Sequence, residues 1–437
     1  MNYLRWRSQL KNMTHFGIIC PSSTGHLNTM IPLGQELQKR GHRVTLFGIL
    51  DTQPKVLAAG IEFQAIGEKE FPLGVSKEIF GKLGKLKGIA ALNYTIKFVA
   101  LEAITLLQEA PSRMKALGVE ALLVDQVSSH GGTIAELLGI PFVTICSAVA
   151  LNREPSTPPF NTDWAYNPSW WGILRNKIGY QVVTRATRPI TDVINNFRQK
   201  HNLSLYTNPN QRYSQLAQIS QAPAAFEFPR QELPPHFHFT GPYHSPRSRQ
   251  SVSFPYEKLT EKPLIYASMG TLQNRLLNVF EDIATACADF DAQLVISLGG
   301  ATKVESLPAL KGNPLVVEYA PQLEILQKTA LMITHAGMNT SMECLTNGVP
   351  MVAIPVANDQ PGVAARIAWS GCGEAIPLKK LNVSCLRTAV QKVLTENSYK
   401  ENALRLQKAI AESGGVSRAA DIIEQAVSTG KPVLANN

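Results

Sequence analysis

The residues from Tyr319 to Gln360 carry the pattern richest in chemistry, YAPQLEILQKTALMITHAGMNTSMECLTNGVPMVAIPVANDQ. Its centre predicts a buried strand, a turn at His335 and Gly337, and a short helix that begins near Asn339. The first N–H groups of a helix are unpaired, and its amino-terminus carries partial positive charge. An imidazole and small polar side chains beside such a terminus predict a phosphate-binding site.

A second group of candidates follows two apolar runs in the first half of the chain. His26 comes shortly after HFGIICP, and Asp125 ends ALLVD. Because parallel strands end at one edge of a sheet, both side chains should face the same cleft. An imidazole can take a proton from a hydroxyl, and a carboxylate on its other nitrogen fixes the tautomer and stabilises the charge. The pair predicts a general base; we interpret nearby His130 as scaffolding at a helix start.

A third candidate is the loop YASMGT, which contains Ser268, Gly270 and Thr271. A glycine turn after a strand can bring backbone N–H groups to a diphosphate. Such turns punctuate many strands, so this loop is informative only together with the other two groups.

The elements that position these residues alternate between apolar strands and helical patterns. This alternation predicts parallel α/β sheets with helices on both faces. The length of 437 residues favours two domains. We expect a first Rossmann-like domain in residues 1–243, a linker in 244–262 and a second such domain in 263–437, with its last helices packing back toward the first. No G-x-G-x-x-G follows a strand, which argues against a nicotinamide or flavin dinucleotide site.

Two stretches of the first domain depart from the alternation. Within residues 152–210, the segment EPSTPPFNTDWAYNPSWWG predicts an irregular insertion with aromatic surface at Trp170 and Trp171. The apolar stretch from Ile89 to Leu107 is interrupted by Glu102 and two other polar residues. It predicts a buried helix rather than a membrane span.

The composition limits the classes of partner and compartment. A net charge of +9 permits an anionic ligand or membrane surface. The basic residues are dispersed, which argues against nucleic acid. Six scattered cysteines without a CxxC pair predict a reduced, cytoplasmic compartment and no zinc site. The first 12 residues lack the apolar core of a secretory signal; we interpret them as a leader, with peripheral membrane contact as the alternative.

With these motifs, the chain from His15 onward resembles the inverting UDP-dependent glycosyltransferases that act on small lipophilic acceptors. YAPQ, HAGMNTSMECL, GVPMVAIP and NDQ occur in that family's order. The resemblance implies the GT-B fold, in which two Rossmann-like domains face a cleft, with the acceptor on the first domain and the nucleotide-sugar on the second. It also implies that no metal ion or other cofactor is needed.

The resemblance implies a role for each matching residue. His26 would be the general base and Asp125 its partner. The donor-binding residues would be Ser268, Gly270, Thr271, Tyr319, Gln322, His335, Gly337, Asn339, Thr340, Glu343, Asp359 and Gln360. The base would stack on Tyr319, the ribose would bind Glu343, and the sugar would bind Asp359 and Gln360. Independently, Asn339 and Glu343 are four residues apart and share one helix face.

The chain departs from the family pattern in the donor segment. Tyr319 stands where a tryptophan is usual, Met338 replaces a tryptophan common in plant members, and the span from Tyr319 to His335 is two residues shorter. These departures suggest a microbial-type enzyme that resembles macrolide and carotenoid glycosyltransferases. They leave UDP and TDP open as the nucleotide; we expect UDP and glucose.

The acceptor should bind against residues 79–107 and the aromatic insertion, which favours a carotenoid, sterol, polyketide or flavonoid. The equal alternative is that these residues are core and that their lysines are a solvated face. Other functions remain: a catalytically silent nucleotide-sugar-binding protein, or a UDP-N-acetylglucosamine epimerase or cell-wall glycosyltransferase on the same fold. A two-lobed solute-binding protein is disfavoured. The sequence leaves the oligomeric state open.

Overall fold

Two parallel sheets organise the computed structural model, which describes residues 13–83, 86, 88–243, 252–270, 277–300 and 303–435. Thr271 and the first eight residues of the expected linker, 244–251, lie outside the described residues. The strands of the first sheet are β1 (His15–Ile19), β2 (Arg43–Gly48), β3 (Glu62–Ala65), β4 (Ala121–Asp125), β5 (Phe142–Cys146), β6 (Gln218–Ser220) and β7 (Phe237–Phe239). Those of the second are β8 (Leu264–Ser268), β9 (Gln293–Ser297), β10 (Leu315–Val317), β11 (Thr329–Thr334), β12 (Met351–Ala353) and β13 (Gly373–Ala375).

Helices cover both sheets. The described α-helices are α1 (Thr24–Lys39), α2 (Gln53–Ala58), α3 (Val75–Leu83), α4 (Gly88–Leu117), α5 (Gly131–Leu138), α6 (Trp170–Lys200), α7 (Leu277–Cys287), α8 (Gln322–Ile325), α9 (Met338–Thr346), α10 (Gln360–Trp369), α11 (Val383–Thr395), α12 (Asn397–Glu412) and α13 (Gly415–Thr429). Short 3₁₀ segments are Leu50–Thr52, Gln126–Ser128, Pro209–Arg212, Ala224–Phe226, Tyr256–Lys258, Val304–Ser306, Leu326–Lys328 and Leu378–Lys380. None of the described helices is both long and apolar enough to cross a membrane.

The order of the strands determines where ligands can bind. The first sheet runs β3-β2-β1-β4-β5-β6-β7 and the second β10-β9-β8-β11-β12-β13, with all neighbours parallel. The strand order reverses between β1 and β4, and again between β8 and β11. Crevices outside the carboxyl ends of the strands at such points are the usual binding sites of α/β folds. The predicted α/β architecture with two Rossmann-like sheets is confirmed.

The last helix returns to the first sheet. Ala419, Ala420 and Ile423 of α13 belong to the same apolar cluster as Leu33 and Leu37 of α1. At the edge of this contact lies Arg40, the residue that follows α1. Its guanidinium donates to the carboxylates of Asp421 and Glu424 on α13, each at 2.6 Å. The end of the chain is therefore held against the first sheet by apolar burial with polar pairs around it.

A buried ion pair joins the two halves of the molecule. Glu227 follows β6, and Arg366 lies on α10 under the second sheet. Arg366 donates to Glu227 Oε1 from Nε at 2.9 Å and from Nη2 at 2.5 Å. Their side chains are 2% and 5% exposed, and the Arg230 Nε lies 3.5 Å from the same oxygen. Two guanidinium groups thus share one carboxylate out of contact with water.

Two expectations about the first half can be compared with the structure. The predicted irregular insertion is present at residues 154–169, and the helix α6 follows it at residues 170–200. Trp170 and Trp171 are both exposed, as predicted, at the start of that helix. The stretch from Ile89 to Leu107 is helical, yet Leu92, Leu101 and Ile104 within it are exposed. The predicted helix is therefore present, and it is buried on one side only.

Candidate active site

His26 and Asp125 meet at the carboxyl edge of the first sheet. His26 lies in the first turn of α1 just after β1, and Asp125 is the last residue of β4, the neighbouring strand. The His26 Nδ1 lies 2.8 Å from Asp125 Oδ2. The other carboxylate oxygen accepts the Val127 N–H at 2.9 Å, which fixes the carboxylate. Asp125 is fully buried, whereas 19% of the His26 side chain is exposed.

Ser147 completes this group. It follows β5, the strand next to β4, so its hydroxyl arrives at the same edge. Its Oγ donates to Asp125 Oδ2 and lies 2.7 Å from the His26 Nδ1. The Nε2 of His26 hydrogen-bonds no residue that the structure describes, so it can accept a proton from a ligand while Asp125 stabilises the resulting charge.

The pKa of His26 offers a direct test of this pairing. Burial of the ring lowers the pKa, but the charge and hydrogen bond of Asp125 raise it more, so that it lies above the ordinary 6.5. We expect Asp125→Asn to lower the pKa of His26, because the substitution removes the negative charge. An NMR titration of both proteins measures this shift, and the His26→Ala spectrum identifies the resonance among nine histidines. An unchanged pKa in Asp125→Asn would contradict the pairing.

Glu102, on α4, lies close enough to His26 and Asp125 to interact with their charges. Burial raises the pKa of Glu102 to about 7; His26 opposes this rise and Asp125 adds to it. The carboxyl also lines a small, otherwise mainly apolar cavity with Cys20, Phe47, Ile49, Ile66, Phe71 and Leu106.

The predicted phosphate turn lies at the edge of the second sheet. His335 follows β11, and Gly337 precedes α9 without a side chain to cap it. A Cβ added to Gly270 or to Gly337 would lie 2.5 Å from the His335 ring, so both glycines leave room for the imidazole. Ala336, which separates His335 from Gly337, has a φ of +63°. This left-handed conformation costs about 1–2 kcal/mol.

His335 is neutral at ordinary pH. Burial lowers its pKa to about 4, although an interaction with the Ser268 backbone opposes this. Its Nδ1 is buried and hydrogen-bonds no residue that the structure describes. A neutral imidazole beside the open end of α9 and the Ser268–Gly270 loop can donate a hydrogen bond to an anion without bringing a full charge.

The residues expected at the nucleoside form a connected group. The Gln322 Nε2 donates to Glu343 Oε2 at 2.5 Å and to the Thr340 hydroxyl at 3.3 Å. Glu343 is fully buried beneath Gln322, so Gln322 is the outer member of the pair. The side chain of Tyr319 is 48% exposed. Its hydroxyl packs against Gly300, where an added Cβ would lie 2.0 Å from the hydroxyl oxygen. The exposed ring can offer a flat apolar face.

Asp359 and Gln360 lie at the start of α10. Burial raises the pKa of Asp359, and the nearby His26 lowers it, which shows that this carboxyl approaches the first domain. The Gln360 Oε1 accepts the N–H groups of Val356 and Ala357 at 2.9 and 3.0 Å. Gln360 therefore holds the preceding loop with its oxygen and keeps its amide N–H groups for other partners.

The side chain of Asn339, at the start of α9, makes hydrogen bonds across the cleft. Its Nδ2 donates to the Gly25 carbonyl at 2.6 Å, next to His26. Its Oδ1 accepts from Gln221 Nε2 at 2.9 Å and from the Thr29 hydroxyl at 3.2 Å. The same Gln221 amide also donates to the Ser147 carbonyl. The side chain of Asn339 thus bridges the cleft to the elements that hold the His26 group.

Sequence reasoning missed three residues of this site. Ser147 ends PFVTICS beside the strand of Asp125, so the strand order would have indicated it. Glu102 was noticed only as an interruption of an apolar stretch. Nothing in the sequence around Gln221 marks it as a contact of Asn339. Among the described residues, no group of three or more His, Cys, Asp or Glu side chains is placed to hold a metal ion.

Comparisons with known proteins show which proteins the chain resembles. A family profile described as "UDP-glucoronosyl and UDP-glucosyl transferase" matches residues 101–412. The chain is 33% identical over 428 residues to the zeaxanthin glucosyltransferase of Pantoea ananas, which covers 97% of this chain and 99% of the relative. It is 30% identical over 426 residues to the zeaxanthin glucosyltransferase of Pseudescherichia vulneris, covering 96% and 100%.

The fold is also found in solved structures. The crystal structure of the calicheamicin glycosyltransferase CalG4 matches with a TM-score of 0.75 and 21% identity, covering 96% of this chain and 100% of that one. At this level of identity, the likeness concerns the arrangement of the two sheets.

Proposed function

Since the chain belongs to the family of UDP-glucuronosyl and UDP-glucosyl transferases, we propose that it moves glucose from UDP-glucose to a hydroxyl of a lipophilic small molecule, with inversion. The observation that carries this proposal is the His26–Asp125 pair, which lies across a cleft from the turn of His335 and Gly337. The names of two relatives, both zeaxanthin glucosyltransferases, support glucose as the sugar and a hydroxylated carotenoid as the acceptor.

The proposed reaction is a single displacement. The acceptor hydroxyl gives its proton to the Nε2 of His26, and its oxygen attacks the anomeric carbon from the face opposite the nucleotide. The bond from that carbon to the diphosphate breaks, and UDP leaves with the bonding electrons. Asp125 stabilises the imidazolium on Nδ1, with Ser147 holding the same carboxylate oxygen.

The leaving diphosphate needs stabilisation at the second domain. We assign this to the unpaired N–H groups at the start of α9, to His335 and to the Ser268–Gly270 loop, and no metal ion or other cofactor is required. Thr271 would extend this loop. Within residues 263–437, the nucleoside would bind at Tyr319, Gln322 and Glu343, and the sugar at Asp359 and Gln360.

The acceptor would bind to residues 1–243. Its reactive hydroxyl would lie at the Nε2 of His26, near the Glu102 carboxyl. The raised pKa of Glu102, about 7, leaves much of this group protonated at neutral pH, and a neutral carboxyl can both donate and accept a hydrogen bond. All six cysteines are free thiols, which supports a reduced, cytoplasmic location.

A transfer assay tests the proposed function. The protein is incubated with UDP-glucose or TDP-glucose and with zeaxanthin or a phenolic acceptor. We expect faster transfer from UDP-glucose than from TDP-glucose. The product should be a β-glucoside, because a single displacement inverts the α-configured anomeric carbon of the donor. An α-glucoside identified by NMR would contradict the mechanism, and the absence of transfer from every donor to every acceptor would contradict the function.

Tyr319→Ala tests where the nucleotide binds. Stacking of a base on an aromatic ring contributes about 1–3 kcal/mol, so the dissociation constant for UDP should rise about tenfold. Tyr319→Phe keeps the ring and removes the hydroxyl, so it should bind UDP almost as tightly as the wild type. Calorimetric titration of the three proteins measures the effect. Unchanged affinity in Tyr319→Ala would show that the base binds elsewhere.

A further inference from the structure

The helix α6 exposes a row of apolar side chains where a surface helix normally exposes polar ones. Trp170, Leu174, Ile178 and Val182 follow one another at intervals of four residues, which places them along one side of the helix. They are 63%, 42%, 53% and 59% exposed, and Trp171 beside them is 63% exposed. We call these five residues the α6 face.

The α6 face is not the side by which the helix packs on the protein. The buried residues of its first half are Gly172, Asn176, Gly179 and Val183. They lie on roughly the opposite side of the helix wheel from the α6 face, because successive residues turn by about 100°. The first half of α6 therefore has a packed side and a second, apolar side that no described residue covers. A contiguous exposed apolar patch of this kind marks an interaction surface.

The charged residues in the first part of α6 are basic, and the first acidic residue of the helix, Asp192, pairs with Arg188. Between Trp164 and Thr191 the sequence contains four basic residues and no acidic one. They are Arg175, Lys177, Arg185 and Arg188. The whole chain carries a net charge of +9. An apolar row with tryptophans at one end and basic residues beside it is the pattern of helices that lie in the interface of an anionic bilayer.

The segment that leads into α6 begins at the candidate active site. The chain reaches α6 from the carboxyl end of β5, the edge that carries Ser147. Phe160, in the segment between β5 and α6, packs directly against Gly362 of α10 in the second domain. The contact is so close that a Cβ on Gly362 would lie 2.1 Å from the Phe160 carbonyl oxygen. The neighbouring helix α4, whose Glu102 lies near His26, also exposes Leu101 and Ile104.

We propose that the α6 face docks the protein on the surface of an anionic lipid bilayer. The apolar side chains would enter the boundary between headgroups and acyl chains, and the basic residues would lie against the lipid phosphates. The consequence that a lipophilic acceptor passes from the bilayer to the cleft rests on the proposed function; the docking itself does not.

Vesicle sedimentation tests the docking without donor or acceptor. We expect the full-length protein to sediment with vesicles of phosphatidylglycerol and phosphatidylcholine, and far less with phosphatidylcholine alone. Ile178→Ser combined with Val182→Ser should reduce the bound fraction at least tenfold. The matched control is Leu404→Ser, which removes a similarly exposed apolar side chain from α12 in the second domain and should bind like the wild type.

Each other outcome overturns the proposal. Equal binding by the wild type and the double variant would show that the α6 face is not the contact, as would the absence of binding to either vesicle. A dimer that dissociates in the double variant, detected by light scattering, would assign the face to a second copy of the chain. Circular dichroism and thermal melting confirm that each variant is folded. Transfer to a water-soluble phenolic acceptor is measured separately, so failure of docking and failure of the proposed function are distinguishable.

Discussion

Replacing His26 with alanine is expected to lower kcat about 10³-fold while leaving the dissociation constant for UDP unchanged. Transfer of a proton to a positioned side chain contributes about 10²–10⁴-fold to a rate. The Nε2 of His26 is the atom in the cleft that is left open by the hydrogen bond of Nδ1 to Asp125. The proposed donor contacts lie on the second domain, so loss of the imidazole should not weaken nucleotide binding.

The His26 experiment needs a histidine control. His201, which stacks on Phe197 at the end of α6, is exposed and far along the chain from the cleft residues. His201→Ala should keep wild-type kcat. Steady-state transfer and calorimetric titration with UDP are measured for both variants. If His26→Ala retains more than about a tenth of wild-type kcat, the proton must go to another acceptor, since general-base catalysis contributes more than this.

The largest loss of stability is expected from Glu227→Gln. The substitution leaves the guanidinium groups of Arg366 and Arg230 buried together without their shared carboxylate. Removing one member of a buried pair costs about 3–5 kcal/mol. The amide oxygen of glutamine can still accept the Phe228 N–H, which isolates the loss of charge. Urea denaturation measures the free energy of unfolding.

Two comparisons make the Glu227 experiment specific. Glu62→Gln breaks a pair with Arg43 that is 48% and 42% exposed, and should cost no more than about 1 kcal/mol. Glu227→Gln combined with Arg366→Met should cost less than the sum of the single changes, because it removes charges of both signs. A cost for Glu227→Gln no larger than that of Glu62→Gln would refute the expectation.

The same ion pair has a predictable dependence on pH. Burial raises the pKa of Glu227, but Arg366 and Arg230 lower it more, so that it lies below the ordinary 4.5. A carboxyl with a lowered pKa in the folded state stabilises the protein above its unfolded pKa. This contribution is lost as the pH falls through the lower, folded value.

The sequence was sufficient for the parts of the site that depend on local order. His26, Asp125, Ser268 and His335 each follow or end an apolar run, and the parallel strand order brings such positions to the edges of the two sheets. The α/β fold followed from the same alternation of strands and helices. These features depend on spacing along the chain, and spacing is visible without coordinates.

The buried and exposed sides of helix α6 could not be predicted from the sequence in this way. Proline and tryptophan dominate the segment before it, and Pro189 lies inside it. Its buried side includes Gly172, Asn176 and Gly179, so the usual apolar repeat is carried partly by small and polar residues. The apolar positions that a reader would assign to the core, such as Ile178 and Val182, are exposed. Burial here is decided by tertiary packing, which the periodicity of one helix does not report.

The contacts across the cleft could not be predicted from the sequence either, because they join residues far apart along the chain. Asn339 was assigned to the phosphate turn from its place at the start of a helix. Its side chain also hydrogen-bonds Gly25, Thr29 and Gln221, which come from the first domain. Only the relative placement of the two sheets reveals these partners.

The hydrogen bonds of Asn339 across the cleft link the closure of the cleft to the binding of ligands. Opening the cleft would break its hydrogen bonds to Gly25, Thr29 and Gln221, so the closed form holds the loop of His26 and the start of α9 in one unit. A ligand that favours closure by binding at α9 must tighten the acceptor side by the same factor, because such coupling is reciprocal. In the proposed reaction, an open cleft would hold His26 away from a bound donor, which would slow transfer of the sugar to water.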